Sequence, residues 1–403
     1  MLSNRPAPAP PSAPESPPGV KPPRAWQAVA LFLVTAAVLF VVMGAVAPHL
    51  PEASGPRLAP PFTGPSWLAG WAQWDSGWYR QIATDGYSYV AGQQSTVAFF
   101  PAYPLIMRAF RVVVDDAYVA GIVVTVLAGA AVAALLATWL RARLSPPAAW
   151  AALLGFLLFP YAFYLYGAVY ADALFVAALL GAFLLLESGR PLLAGLAGAV
   201  ATASRPAGVV LVIALAVRAL ERRDALRPVR AGLVDWQRAR WIDAGVLVSL
   251  LGLAGWCLYL WARFDDPLAF ASAQEAWNQG AGPATWLKFQ FFRDVADLRS
   301  PGAWILFMAH PVLTVAAACL LPRVFRRFGA GYGVYTALLV GLSALSTKNF
   351  FGMARYLLAA FPLFALVGEL LAERPALRRL ALPAGAAGLV VLTAVFGTGY
   401  YLS

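Results

Sequence analysis

The chain has 403 residues, 61% of them hydrophobic and 12% charged, with a net charge of +11. So little charge cannot cover the surface of a water-soluble domain of this length, which excludes an ordinary soluble enzyme or binding module. The Arg excess does not point to nucleic acid, because many Arg cluster in short loops between long apolar blocks, as the positive-inside rule requires of membrane proteins.

Residues 1–25 carry nine prolines among Ala and Ser. Such a segment cannot bury a core and is expected to be a disordered cytoplasmic tail, leaving 26–403 as the transmembrane domain. Residues Trp26–Pro48 contain no charged residue, and a run of that length spans a membrane. A cleaved signal peptide would be cut after Ala45-Val46-Ala47. The stretch is too long for an ordinary signal, and Pro48 would follow the cut directly. Residues 49–116 form the longest polar stretch, rich in Trp, Tyr, Phe, Gly and Pro. Spans follow at 117–140, 148–165 and 170–187. The last two are joined by Tyr161, Tyr164, Tyr166 and Tyr170, aromatics suited to a membrane–water interface. The block 191–220 is broken at Ser204-Arg205-Pro206 and reads as a helical hairpin with Arg205 at its outer tip. A basic loop, 218–241, precedes a span near 243–263. A second polar segment, 264–301, leads to spans near 302–321, 330–346, 354–372 and 381–402. The expected fold is all-α and polytopic, with about eleven transmembrane helices.

With the N-terminus in the cytoplasm, the cytoplasmic segments hold 19 Lys or Arg against 8 Asp or Glu, and the external ones 11 against 11. The opposite orientation would put the whole positive excess outside. Segments 49–116 and 264–301 are therefore assigned to the outer side. Cys257 and Cys319 lie inside apolar blocks and read as small buried hydrophobes. The absence of a visible internal repeat weighs against an inverted-repeat transporter.

The first external segment contains Trp74-Asp75-Ser76-Gly77-Trp78-Tyr79-Arg80, followed by Asp85-Gly86-Tyr87. If Asp75 opens a helix, Trp78, Tyr79 and Ile82 stack along one face below it. A carboxylate held beside apolar rings acquires a raised pKa and can act as a general base. The competing role for Asp75 is helix capping. Downstream, Ala98-Phe99-Phe100-Pro101-Ala102-Tyr103-Pro104 suits a rigid turn returning to the membrane, with Tyr103 either an interfacial anchor or a substrate contact. Three more charges border apolar blocks: Asp172 in Tyr170-Ala171-Asp172-Ala173-Leu174-Phe175, Arg205 at the hairpin tip, and Arg355 in Ala354-Arg355-Tyr356-Leu357. Each alone is readily a structural ion pair or a snorkelling group. All fall on the outer side with Asp75, which predicts one shared polar cavity. His49 and His310 have no ligand-like spacing. The sequence offers no His/Cys metal pattern, no phosphate-binding glycine loop and no nucleophile motif, so neither metal nor cofactor is expected. An outward-facing transferase meets no nucleotide sugars, so its donor is expected to be a lipid-linked sugar.

Trp74-Asp75 with Tyr79, Asp85-Gly86-Tyr87 and the Phe99-Phe100-Pro101-Ala102-Tyr103-Pro104 turn resemble the first luminal loop of the PIG-V family. That family contains the second mannosyltransferase of GPI-anchor assembly and prokaryotic relatives. The likeness continues at Tyr170–Phe175, at Ser204-Arg205-Pro206-Ala207-Gly208, and at Ala354–Leu357 with Phe361-Pro362-Leu363, spanning about 71–364. The resemblance implies a GT-C glycosyltransferase fold, a polyprenyl-phosphate mannose donor and an inverting, metal-independent mechanism. The family's loop carboxylate falls on Asp75 and its second acidic position on Asp85. Asp172 departs from the pattern, which has Glu more often.

The resulting expectation is a mannosyltransferase of a bacterial plasma membrane, with its site facing outward. Asp75 is the base, with Asp85 a second catalytic candidate. Arg205 and Arg355 bind the donor phosphate, and Trp74, Trp78, Tyr79, Tyr103 and Asp172 contact substrate. Beyond the membrane lipids around it, its partners are the polyprenyl-phosphate sugar and a lipid-linked glycan or protein acceptor. A flippase would not depend on one loop carboxylate, and a non-catalytic scaffold would tolerate Asp75→Asn.

Overall fold

A computed structural model describes residues 20–51, 62–226, 234–276 and 282–402. Most of the expected tail, and Arg227 and Arg230 of the basic loop, lie outside the described residues. Among those described there is no β-strand, only a single bridge between Leu226 and Val234.

The first helix is α1 (Ala25–Val41), continued by a wider π-helical turn over Val42–Val46 and a tight 3₁₀ turn to His49. Segment 49–116 carries two short helices, α2 (Ser76–Asp85) and α3 (Ala102–Phe110). The bundle continues with α4 (Ala117–Arg141), α5 (Pro146–Leu157), α6 (Asp172–Glu187), α7 (Pro191–Thr202), α8 (Val209–Arg222) and α9 (Leu250–Phe264). Segment 264–301 holds α10 (Ala269–Glu275), α11 (Pro283–Trp286) and α12 (Phe289–Asp297). The C-terminal part comprises α13 (Pro301–Phe328), α14 (Ala330–Ser346), α15 (Met353–Tyr356), α16 (Phe361–Glu373) and α17 (Pro375–Gly397). Among the described residues five stretches are long and apolar enough to cross a membrane: Ala25–His49, Ala117–Arg141, Trp241–Phe264, Pro301–Phe328 and Pro375–Gly397. This is an integral membrane protein.

The expected hairpin at 191–220 is present as α7 and α8, with Arg205 in the turn between them. Two expected single spans are instead broken. The stretch 148–165 ends its α-helix at Leu157 and turns tightly through Pro160–Leu165, because a proline disfavours helix at the residue before it. The stretch 354–372 bends by 87° between Ala359 and Phe361, where Pro362 has no N–H to continue the ladder. The Tyr335 hydroxyl donates to the Ala359 carbonyl at 2.8 Å and satisfies an acceptor freed by that break. Counted with this bent pair there are six candidate spans, and the helices α5, α7 and α14 are apolar but shorter.

Lipid tails are as apolar as Leu, so helices in a membrane associate through close packing. Helix α7 meets α9 and the 3₁₀ stretch that leads into it, Trp241–Ser249, through glycine. A Cβ at Gly195 would collide with the Gly245 carbonyl oxygen, and one at Gly252 with that of Ala199. Among the described residues, a charge cluster lies at each end of α6. At the C-terminal end of α6, Glu187 pairs with Arg218 at 2.8 Å and Arg143 at 3.2 Å, and accepts from the Tyr332 hydroxyl at 3.2 Å. Glu221 accepts from the N–H groups of Ala330 and Gly331 at 2.6 and 3.0 Å, capping α14. The other end of α6 starts with Asp172. Its 16 residues separate the two charged ends by about 24 Å, close to a bilayer's hydrocarbon thickness.

Candidate active site

Segment 49–116 is tied down onto the end of the bundle that carries Asp172. Val169 N–H donates to the Trp71 carbonyl at 3.4 Å, and Asp75 N–H donates to the Tyr170 hydroxyl at 3.2 Å. Arg108 of α3 donates to the Ala83 and Ile82 carbonyls at 2.9 and 3.1 Å, satisfying the C-terminal end of α2. Ala102 N–H donates to the Ala203 carbonyl at 2.8 Å, joining the start of α3 to the turn that carries Arg205. The aromatic-proline motif and the hairpin tip, far apart in sequence, are thus in direct contact.

These ties bring four charged residues together. Asp172 receives both arginines, one on each carboxylate oxygen. Arg205 donates to Oδ1, while Arg355 Nε and Nη2 lie 3.0 and 2.9 Å from Oδ2. Arg355 Nη1 also lies 3.6 Å from Asp75 Oδ2. The Asp172 and Arg355 side chains are 3% and 6% exposed, whereas Asp75 remains 26% exposed and is the carboxylate open to a ligand. Ionised, the cluster carries no net charge, which makes its burial tolerable. Arg355 also sits over the rings of Tyr170 and Tyr164, at 4.5 and 4.8 Å, and Arg205 over Tyr356 at 5.0 Å.

Asp75 stands directly before α2, but its side chain makes no capping hydrogen bond. The capping role therefore does not account for it. Burial raises its carboxyl pKa above the ordinary value, Arg355 opposes that shift, and the Asp172 charge adds to it. The direction suits a base that must take a proton near neutral pH.

The remaining sequence candidates divide. Tyr79 packs edge-on against Tyr103 at 5.0 Å and lies 6.4 Å from Tyr170. Tyr103 is fully buried, and its hydroxyl is engaged by the Gly121 carbonyl and Thr125, so it braces Tyr79 from behind. Trp74 packs on Tyr401 at 4.9 Å, and Trp78 stacks on Phe99 at 5.9 Å. Asp85 is exposed at the far end of α2, about 15 Å along the helix axis from Asp75, and joins no ion pair of the cluster.

An apolar cavity of roughly 240 Å³, lined by Phe307, His310, Phe351 and Tyr401 among others, is linked to the cluster through its wall: Tyr401 packs on Trp74, the residue before Asp75, and His310 bonds Ala354, the residue before Arg355. His310, which had no sequence signal, is buried and accepts the Ala354 N–H on Nδ1 at 3.2 Å. That bond assigns the ring proton to Nε2, which stands 3.5 Å from the Tyr161 hydroxyl. A lone His in an apolar span has no neighbours in sequence to announce it. Tyr401 escaped notice for the same reason, whereas Tyr356 entered only as part of the motif around Arg355.

The whole arrangement has known counterparts in architecture. The structure of ArnT from Cupriavidus metallidurans bound to undecaprenyl phosphate superposes with a TM-score of 0.52 and 15% identity, over 92% of this chain and 76% of that one. The apo state of the same protein gives 0.50 and 14%, with the same coverage. The chain has the GT-C glycosyltransferase fold. An Archaeoglobus fulgidus oligosaccharyltransferase matches more loosely, with a TM-score of 0.46 and 14% identity over 56% of its length. No protein-family model and no curated protein matches the chain. The likeness to the ArnT structures supports the GT-C fold in general and not the narrower PIG-V likeness.

Proposed function

We propose that this GT-C protein is a glycosyltransferase that moves mannose from a polyprenyl-phosphate donor to an acceptor hydroxyl on the outer face of a bacterial plasma membrane. The observation that carries the reading is the convergence of Asp75 with Arg205, Arg355 and Asp172 in a cluster linked to an apolar cavity through its wall. A carboxylate about a quarter exposed, in one cluster with two guanidiniums, matches a reaction that takes a proton from one partner and releases a phosphate from the other. The ArnT neighbour holds undecaprenyl phosphate, which favours a lipid-phosphate carrier here.

The reaction is a single displacement. Asp75 accepts the proton of the acceptor hydroxyl, whose oxygen bonds to the anomeric carbon. The bond from that carbon to the phosphate oxygen breaks, and its electron pair leaves with the lipid phosphate. Attack from the face opposite the leaving group inverts the anomeric centre. Arg355 and Arg205 stabilise the charge growing on the phosphate, because preorganised cations in a partly dry site need no reorganisation. Asp172 holds both guanidiniums in place and acts as a positioning residue. The acceptor is a lipid-linked glycan or a protein. The PIG-V-like motifs favour mannose.

Purified protein in detergent with chelator is expected to consume polyprenyl-phosphate mannose when given a membrane-glycolipid extract, and to ignore GDP-mannose. Turnover of GDP-mannose alone would refute the lipid-donor reading.

A further inference from the structure

Trp74 has two properties that its tilted packing against Tyr401 does not explain. Its backbone sits at φ 52°, in the left-handed region that a bulky L-residue occupies only under strain. Its indole N–H is buried and has no hydrogen-bond partner among the described residues. A buried donor left unpaired is costly and rare. The strained turn itself is well bonded around it. Ser76 Oγ donates to the Gln73 carbonyl at 2.6 Å, Gly77 N–H donates to the Trp74 carbonyl at 3.2 Å, and the Gln73 amide reaches the Gly397 carbonyl at 3.3 Å. The turn is held firmly while the indole N–H is left over.

Two other tryptophans share the unpaired N–H but not the setting. Trp71 packs against Phe40 and Gly167, and Trp256 against Tyr87 and Tyr259, both fully inside aromatic and aliphatic packing and neither at positive φ. Trp74 instead directly precedes Asp75 in the chain. The ring it packs on, Tyr401, lines the cavity with His310 and Tyr161.

We propose that the Trp74 indole N–H is a specificity-determining donor that bonds one hydroxyl of the sugar held between Asp75 and the cavity. The proposal deepens the transferase reading and takes the carbohydrate from it. The phosphate is matched by the two guanidiniums, which leaves a neutral, donor-only group to meet a neutral hydroxyl oxygen. The adjacent Trp74 and Tyr401 rings match the C–H faces of a pyranose. A site built to bond a hydroxyl rejects the analogue that lacks it, since the donor is then stranded.

The test measures binding, so it is independent of transfer. The Asp75→Asn chain, used so that slowed transfer leaves the donor intact during the measurement, is titrated calorimetrically with polyprenyl-phosphate mannose and its 2-, 3-, 4- and 6-deoxy analogues. One analogue is expected to bind about 2- to 12-fold more weakly, the worth of one hydrogen bond. Adding Trp74→Phe removes that gap, while adding Trp71→Phe leaves it. If Trp74→Phe does not fold, benzothienylalanine at position 74 keeps the ring's shape without the N–H and serves instead. A gap that survives either replacement, the absence of any gap, or no binding of these donors overturns the proposal. Loss of the gap on replacement, in a parent chain that transfers no sugar, would sustain the Trp74 assignment and refute the transferase reading.

Discussion

Asp172→Asn changes almost no volume and removes one charge, which makes it the sharpest probe of the cluster. In the folded protein the carboxylate is 3% exposed and accepts from Arg355 at 3.0 and 2.9 Å and from Arg205. The amide leaves two guanidiniums facing the single carboxylate of Asp75, which lies 3.6 Å from Arg355. Breaking a buried pair costs about 3–5 kcal/mol, because the partner charge stays buried. Arg205 is 17% exposed and can turn toward water, so the lower end, about 3 kcal/mol, applies. Activity should suffer more than folding. An arginine that drifts from its preorganised place forfeits stabilisation worth about 10²–10³ in rate. Asp172→Glu restores the charge on a longer arm and should recover to within about tenfold of the parent. Thermal unfolding followed by intrinsic fluorescence, together with transfer from polyprenyl-phosphate mannose, reads both effects. An Asn variant with unchanged midpoint and activity, or a Glu variant as damaged as the Asn one, would refute the claim that Asp172 positions the arginines.

Asp75→Asn should be as stable as the parent at pH 7 or more so. A carboxyl whose pKa is raised on folding binds its proton more tightly in the folded state, so its ionised form costs stability above that pKa, and the cost disappears as pH falls through it. A clear drop in thermal midpoint would contradict this. For the same reason kcat/KM should fall on the acid side with a midpoint above the ordinary aspartate value of about 3.9, and an acid limb below that value would count against Asp75 as the base. Asp85→Asn, far along α2 and exposed, should lose much less activity than Asp75→Asn; an equal loss would return Asp85 to the mechanism. In a background lacking Cys257 and Cys319, the exposed positions Gln93→Cys and Gln237→Cys should react and not react, respectively, with an impermeant reagent on intact cells. The reverse labelling would invert the topology.

The polar centre was legible because charge is so rare in this chain. Asp172, Arg205 and Arg355 each stand alone at an apolar boundary, and isolated charges at depth have few places to go except toward one another. Their pairing was not legible. Nothing in the spacing shows that Asp172 gives one oxygen to each arginine, since its partners come from 33 and 183 residues away. Span boundaries failed where short-range backbone rules overrode the apolar pattern, at Pro160 and at the bend before Pro362. Hydropathy averages over such breaks. His310 and Tyr401 gained their place only from packing between distant helices.

The central claim is that Asp75 takes the acceptor's proton, and one rate tests it. Asn at position 75 keeps the shape and the backbone bond to Tyr170 but cannot accept a proton at useful pH. Consumption of polyprenyl-phosphate mannose by well-folded Asp75→Asn protein should fall by about 10²–10⁴-fold, the usual worth of general-base catalysis. A rate within about threefold of the parent would remove Asp75 from the mechanism and leave the transferase without its base.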